Sequence, residues 1–302
     1  MRSTVGVPMT ELLQLLISGL TIGSVYGLVA VGFCMVYNTT EVINFAQGEF
    51  VMLGGMMAAT ASSGFGWPLP AALLFAVVSV TLIGLVAEKL TFGLSRKPEV
   101  MNLIIVTIGL AIVIKGVVMM VWGTFPRELP TFSGELSLAV FGASVTPQAL
   151  WVIAISALVM VAVGLFMKRS ATGMAMRAAA ADRGTASLMG SPVSRLSTFS
   201  FAAASGIGAI AGVILTPLTM TSYDHGTLIG LKGFCAAIIG GMGNVYGAFL
   251  GGLILGAVEA FAAGLGGSGF QDAVAFLLLI VLLLVRPSGL LGGTGRERVV
   301  KL

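Results

Sequence analysis

Charge is what this chain has least of. Charged side chains make up 9% of its 302 residues, where water-soluble domains carry roughly 25%. With 57% hydrophobic residues and a mean hydropathy of +1.05 it cannot clothe a folded surface in water, and it requires lipid as its solvent. Histidine is nearly absent, His225 being the only one, so a metal centre of several His and Cys ligands is excluded. Cys34 and Cys235 both lie in apolar runs and read as small buried hydrophobes, not as a disulfide. No Gly-Lys pair is followed by Ser or Thr, so the chain has no phosphate-cradling loop with which to hydrolyse ATP itself. A His-Glu-x-x-His pattern is also missing. Asp182, Asp224 and Asp272 all fall at or beyond the ends of apolar stretches, which excludes an intramembrane aspartyl pair. The net charge of +4 follows from cations gathered on one side of a membrane, and no nucleic acid partner is expected. Because the apolar run from Leu12 continues to Tyr37, no removable signal peptide is expected either.

What the chain does have is apolar length. Nine stretches read as membrane segments, at about 12–37, 43–63, 68–90, 100–122, 148–167, 197–217, 228–243, 245–264 and 271–286. The expected fold is therefore all-α and polytopic, a single 1–302 membrane domain of about 8–10 transmembrane or re-entrant helices. The stretch 228–243 is short and interrupted by Gly233, Gly240, Gly241 and Gly243, as in a broken helix that faces protein. If the spans alternate, Arg96, Lys97, the cations of 168–195, Arg286, Arg296, Arg298 and Lys301 share one side, with Arg2 and Arg127 opposite. By the positive-inside rule that side is cytoplasmic, and the C-terminus with it. On the other side, 123–147 reads as an extracytoplasmic loop, with alternating Leu136, Leu138 and Val140 as a short strand and Thr146-Pro147 as a helix start. Gly19, Gly23 and Gly27 recur every four residues, as do Gly208 and Gly212, and Ala248, Gly252 and Gly256. That spacing lets helix backbones approach closely.

Two places carry polar chemistry. The segment Asn44-Phe45-Ala46-Gln47-Gly48-Glu49 sets three polar side chains at the start of an apolar stretch. An ionisable group at membrane depth faces a bundle interior or an aqueous path; one near the interface caps a helix, and both readings of Glu49 stand. A similar stretch recurs where Lys232-Gly233 precedes Gly240-Gly241-Met242, compared with Gln47-Gly48 before Gly54-Gly55-Met56, an arrangement that suits an inverted repeat. Asn44, Gln47, Gly48, Glu49, Lys232, Gly240, Gly241 and Asn244 are the candidate pathway residues. Lys115 and Glu259 also lie inside spans, the first placed to snorkel outward and the second to pair across helices.

The second place is the polar island 168–195. Asp182 is positioned to cap a short helix from Arg183 to Met189, which Gly190 and Pro192 stop. Ala186, Leu188 and Met189 form a small apolar patch among Arg177, Asp182 and Arg183, the composition of a knob that enters a partner's groove or of a turn lying on headgroups.

Taken together, Gly19-Leu20-Thr21-Ile22-Gly23-Ser24-Val25-Tyr26-Gly27-Leu28, Ile43-Asn44-Phe45-Ala46-Gln47-Gly48-Glu49, Ala186-Ser187-Leu188-Met189-Gly190, Gly230-Leu231-Lys232-Gly233-Phe234, Gly240-Gly241-Met242-Gly243-Asn244 and Arg286-Pro287-Ser288-Gly289-Leu290 resemble the permease subunits of branched-chain amino acid ABC importers, the LivH type. The resemblance runs over nearly the whole chain, with Gln47 where many relatives carry His. It implies a bundle of the second importer class in a bacterial inner membrane, with a related second permease, two cytoplasmic ATPases that bind ATP and Mg, and a periplasmic binding protein. It also implies that the helix Arg183 to Met189, flanked by Arg177 and Gly190, seats in an ATPase groove. No cofactor and no enzyme activity of the chain's own are implied. Within the family the substrate is a branched-chain or other hydrophobic amino acid, with urea, amides or aromatic acids as alternatives. An ion-coupled secondary transporter or channel, with Glu49, Lys115 and Glu259 as relay groups, is the reading that does not depend on the resemblance.

Overall fold

The computed structural model describes residues 9–93, 99–134, 138–140 and 143–292. Arg2, Arg96, Lys97, Leu136, Arg296, Arg298 and Lys301, used above for orientation and for the outer strand, lie outside the described residues. In chain order the helices are α1 (Met9–Thr40), α2 (Gln47–Ala59), α3 (Leu69–Gly93), α4 (Val100–Trp122), α5 (Pro147–Arg169), α6 (Ala171–Ala181), α7 (Arg183–Leu188), α8 (Val193–Thr219), α9 (His225–Gly240), α10 (Val245–Gly266) and α11 (Gln271–Val285). Each of the nine apolar stretches became one helix. Among the described residues six are long and apolar enough to cross a membrane: α1, α3, α4, α5, α8 and α10. Three are shorter: α2, α9 and α11.

The bundle is organised around α1, whose apolar window is 89% buried against 11% for α4. A helix that is apolar all round belongs in the interior, and α1 achieves that position through glycine. Gly19, Gly23 and Gly27 lie against Gly252 and Gly256 of α10, so close that a Cβ on Gly23 would stand 2.8 Å from the Gly252 carbonyl oxygen. Gly208 and Gly212 of α8 admit α2 in the same way, against Phe50 and Val51.

α2 does not begin at the membrane edge. Gly32 packs against the Gln47 side chain, whose Nε2 donates to the Ala204 carbonyl at 2.9 Å. Gly32 lies eight residues before the end of α1, so at 1.5 Å per residue the first turn of α2 is about 12 Å inside that end. The chain reverses at Glu41, in the left-handed region at φ 59°, and climbs through 42–46 before α2 starts. A five-residue π-turn, Thr60–Gly64, then carries the chain to the face from which α3 departs.

On that same face, β1 (Leu138–Val140) and β2 (Ala143–Val145) pair antiparallel and deliver the chain to α5, whose N-cap Thr146 accepts from the Ala149 N–H. The opposite face carries the polar island. It forms two helices where the sequence suggested one: Ser170 caps α6 through the Gly173 N–H at 2.8 Å, and Asp182 caps α7. A second Ser cap inside a basic run is a weak signal, easily read as loop.

Candidate functional site

Glu49 stands where two helix starts meet. It occupies the first turn of α2 and lies against the first turn of α9, its Oε1 accepting from the Thr227 hydroxyl at 3.1 Å. Both macrodipole ends there favour negative charge. Of the two readings of Glu49, the buried one describes this position: the side chain is 3% exposed, and Ala46, not Glu49, is the N-cap of α2. The helices can approach because the contact is glycine on glycine. A Cβ on Gly230 would lie 3.0 Å from the Gly48 Cα, and one on Gly226 would lie 2.5 Å from Glu49 Oε2. Contacts run from Gly48 with Gly230 back to Gly55 with Thr221, so α2 and α9 lie antiparallel.

Beside this crossing lies a cavity of ≈ 390 Å³, walled by α4 together with Phe33, Phe45 and α9. Its charged groups are Glu49 and Lys115, and the rest of the wall is apolar apart from Thr227. Phe33 and Phe45 are held by the ring of Phe234, at 5.8 and 5.7 Å between centroids. The Phe45 N–H donates to Thr107 Oγ1 on α4 at 3.2 Å. Asn44 is fully buried and braces the turn into α2, its Oδ1 accepting from the Ala46 N–H at 3.1 Å.

The eight candidate pathway residues separate in space. Asn44, Gln47, Gly48 and Glu49 gather at the start of α2. Lys232 instead bridges buried Glu259 at 3.2 Å and exposed Asp272 at 2.8 Å, with its Nζ over the Tyr26 ring, and so ties α9 to α1, α10 and α11. Tyr26 donates to the same Glu259 at 3.0 Å. Gly240 packs on Gly247, Gly241 at φ 106° abuts Gly292, and Asn244 caps α10 while donating to the Leu291 carbonyl at 2.9 Å. These three hold the C-terminal end of α9 and the chain after α11 together, away from Glu49. Thr227 and Gly226 were not foreseen, and no sequence signal marks them. Lys115 was read as snorkelling; as the one cation in 100–122 it was also the signal for this cavity.

Removing one partner of the Lys232–Glu259 pair strands a buried charge, which costs about 3–5 kcal/mol. Lys232→Met is therefore expected to lower the thermal unfolding temperature of the purified protein sharply, and Lys232→Met with Glu259→Gln to regain most of it. An unshifted single variant would refute that account.

On the island, α7 is anchored on one side and bare on the other. Ala186 is buried, and Arg183 donates to the carbonyl of Thr40 at the end of α1 at 3.2 Å. Asp182 accepts from the Thr185 hydroxyl at 2.6 Å and from its N–H at 3.0 Å, and these bonds hold its carboxyl below the usual carboxylate range. Leu188 and Met189 are 90% and 83% exposed, and Gly190 at φ 84° ends the helix. Arg177 of α6 is exposed. The apolar patch foreseen from the sequence thus divides: Ala186 faces the bundle, while Leu188 and Met189 face outward. Among the described residues no group of three or more His, Cys, Asp or Glu is placed to hold a metal. Cys34 and Cys235 are free and buried.

A multi-pass bundle of apolar helices, with α2 starting inside it and a short helix presenting Leu188 and Met189 on one face, defines a polytopic membrane protein. The family model described as "Branched-chain amino acid transport system / permease component" matches residues 15–285, and the chain belongs to that family. It is 35% identical over 300 residues to the high-affinity branched-chain amino acid transport system permease protein LivH of Escherichia coli (strain K12), covering 95% of this chain and 97% of that one. Identity to the corresponding permease protein BraD of Pseudomonas aeruginosa is 34%, over 95% and 98% of the two chains. A probable branched-chain amino acid transport permease protein LivH of Methanocaldococcus jannaschii is 27% identical over 88% of each.

Proposed function

We propose that this chain is the membrane-spanning subunit of an ATP-driven importer for branched-chain or other hydrophobic amino acids, seated in a bacterial inner membrane with its C-terminus in the cytoplasm. The observation that carries the substrate class is the full-length identity to LivH and BraD. Its partners are a second homologous permease, two cytoplasmic ATPases that bind ATP and Mg, and a periplasmic binding protein. The segment 168–195 is the cytoplasmic coupling element, where Leu188 and Met189 enter an ATPase groove and Asp182, Arg183 and Ala186 fix the helix that presents them. Segment 123–147, with its hairpin, faces the binding protein.

α4 lies toward the second permease. It is the least covered of the long helices within the chain, yet it carries Lys115 about 10 Å from its outer end, where lipid contact is costly. The route between the subunits then passes the start of α2, with Glu49 beside it. Closure of the ATPases displaces α7, and the Arg183 contact with Thr40 passes that movement to the end of α1 and the turn before α2. Access thereby alternates between the two faces.

Affinity purification of the tagged chain, expressed with its genomic neighbours, is expected to recover two ATPase copies and a second permease, and proteoliposome uptake is expected to cease when ATP hydrolysis is blocked. Uptake by this chain alone in liposomes would overturn the proposal.

A further inference from the structure

We infer that the cavity beside Glu49 is a subsite for the zwitterionic head of an amino acid, with Glu49 receiving the ammonium group, Lys115 facing the carboxylate and the apolar wall holding the side chain. The inference rests on the pathway reading above and adds to it a chemical selectivity that the permease itself exerts.

Four observations converge on it. First, Glu49 is 3% exposed and lines the cavity, yet only one of its oxygens is engaged: Oε1 accepts from Thr227, while Oε2 has no hydrogen-bond partner among the described residues. That oxygen is itself enclosed beside Gly226, and leaving it unpaired is costly; a cationic donor in the cavity offsets the cost once the Glu49 carboxylate turns toward it. Second, Lys115 shares the cavity but is not spent on Glu49. Among the described residues no carboxylate lies within 4.0 Å of its Nζ, which sits 5.6 Å from the centre of the Tyr223 ring. Lys232, by contrast, is already committed to Glu259 and Asp272. Third, Glu49 and Lys115, neither of them in a salt bridge among the described residues, line the same cavity together with the apolar Phe45, Ile108, Ile112 and Leu231. One space thus offers a carboxylate, an ammonium group and an apolar wall, the chemistry that receives a molecule carrying both charges and a hydrocarbon. Fourth, ≈ 390 Å³ stands at the small end of the range for ligand pockets, about 300–1,000 Å³, as suits a single amino acid.

The same chemistry sets the discrimination. Urea or a neutral amide leaves both charges unpaired, while a simple amine or a simple carboxylate satisfies one. Hydrogen bonds to charged groups are strong enough that each missing partner is expected to weaken binding by roughly 10- to 100-fold. Gly226 belongs to the design, since any side chain there meets the free oxygen of Glu49.

The test uses the assembled importer with its ATPases, purified without the binding protein, and equilibrium binding of tritiated L-leucine. The intact importer is expected to bind leucine. Glu49→Gln and Lys115→Met are each expected to weaken binding about 10-fold or more. Competing isoamylamine, which lacks the carboxylate, should lose affinity in Glu49→Gln but not in Lys115→Met; isocaproate, which lacks the ammonium, should show the reverse. That crossed pattern is one a merely structural role would not produce. Ile112→Trp, which fills the cavity from α4, should abolish binding even if Glu49→Gln fails to assemble. Absence of leucine binding by the intact importer, wild-type binding by both charge variants, or identical responses of the two competitors would overturn the subsite. If ATP-driven leucine uptake persisted beside any of those results, the importer reading would stand without it. Loss of ATP dependence with leucine binding intact would remove the importer reading instead.

Discussion

Replacing Leu188 and Met189 together by Asp is expected to release the ATPase subunits from the purified importer while leaving the membrane bundle folded. Both side chains project from the face that carries α7, at 90% and 83% exposure, so neither supports the fold of this chain. Surface changes of that kind usually move stability by no more than about 0.5 kcal/mol. Burying a large apolar side chain in a partner's groove contributes about 1.5–3 kcal/mol. Losing two of them weakens association by roughly two to four orders of magnitude at about 1.4 kcal/mol per tenfold. The helix itself should persist, because its supports lie elsewhere: the Asp182 cap, buried Ala186 and the Arg183 contact with Thr40. The checks are ATPase recovery in affinity purification and the thermal unfolding of the permease. Wild-type recovery of both ATPases would refute the assignment of α7 as the contact.

Gly252→Leu is expected to do the opposite, removing the fold and with it every activity. A Cβ at that position would overlap the Gly27 backbone nitrogen and Cα and come within 2.8 Å of the Gly23 carbonyl oxygen. The obstacles are main-chain atoms, which cannot swing aside as a flexible side chain does, so α1 and α10 must move apart. Overpacking a well-fitted core typically costs about 1–3 kcal/mol, and more where nothing can yield. A folded state worth roughly 5–15 kcal/mol in total has little to spare at the seam that holds its central helix. Gly109 of α4 supplies the control, since nothing lies within 4 Å of a Cβ there. Gly109→Ala is expected to express and unfold like the wild type, while Gly252→Leu yields little folded protein. An unchanged unfolding temperature for Gly252→Leu would contradict the packing argument.

The seam between α1 and α10 was legible before any coordinates. Small residues every four positions along Gly19, Gly23 and Gly27, and along Ala248, Gly252 and Gly256, signal close backbone approach because i and i+4 share a helix face. The caps at Thr146 and Asp182 were legible for a related reason: a cap is a bond between residues two or three apart, so its partners are already neighbours in the chain. Glu49 was recognised as the polar group of interest, but its surroundings were not. Thr227 is 178 positions away with nothing in the sequence to mark it, and Lys115, noted with Glu49 only as an ionisable group inside a span, lies on another helix with no spacing that joins the two. Lys232 was grouped with the start of α2 because Lys232-Gly233 before Gly240-Gly241 resembles Gln47-Gly48 before Gly54-Gly55; the fold turns its side chain to Glu259 and Asp272 instead.

The sequence alone determined that the chain lives in lipid, how many apolar helices it forms, and where it carries a polar island. Those properties are sums over consecutive residues, because the cost of placing each residue in hydrocarbon accumulates along a segment. Only the tertiary structure decided that α2 starts about 12 Å inside the end of α1, that Ala186 turns inward while Leu188 and Met189 turn out, and that Glu49 and Lys115 line one cavity. Those are matters of which helix faces meet and at what height, and they are set by backbone contacts between residues far apart in the chain.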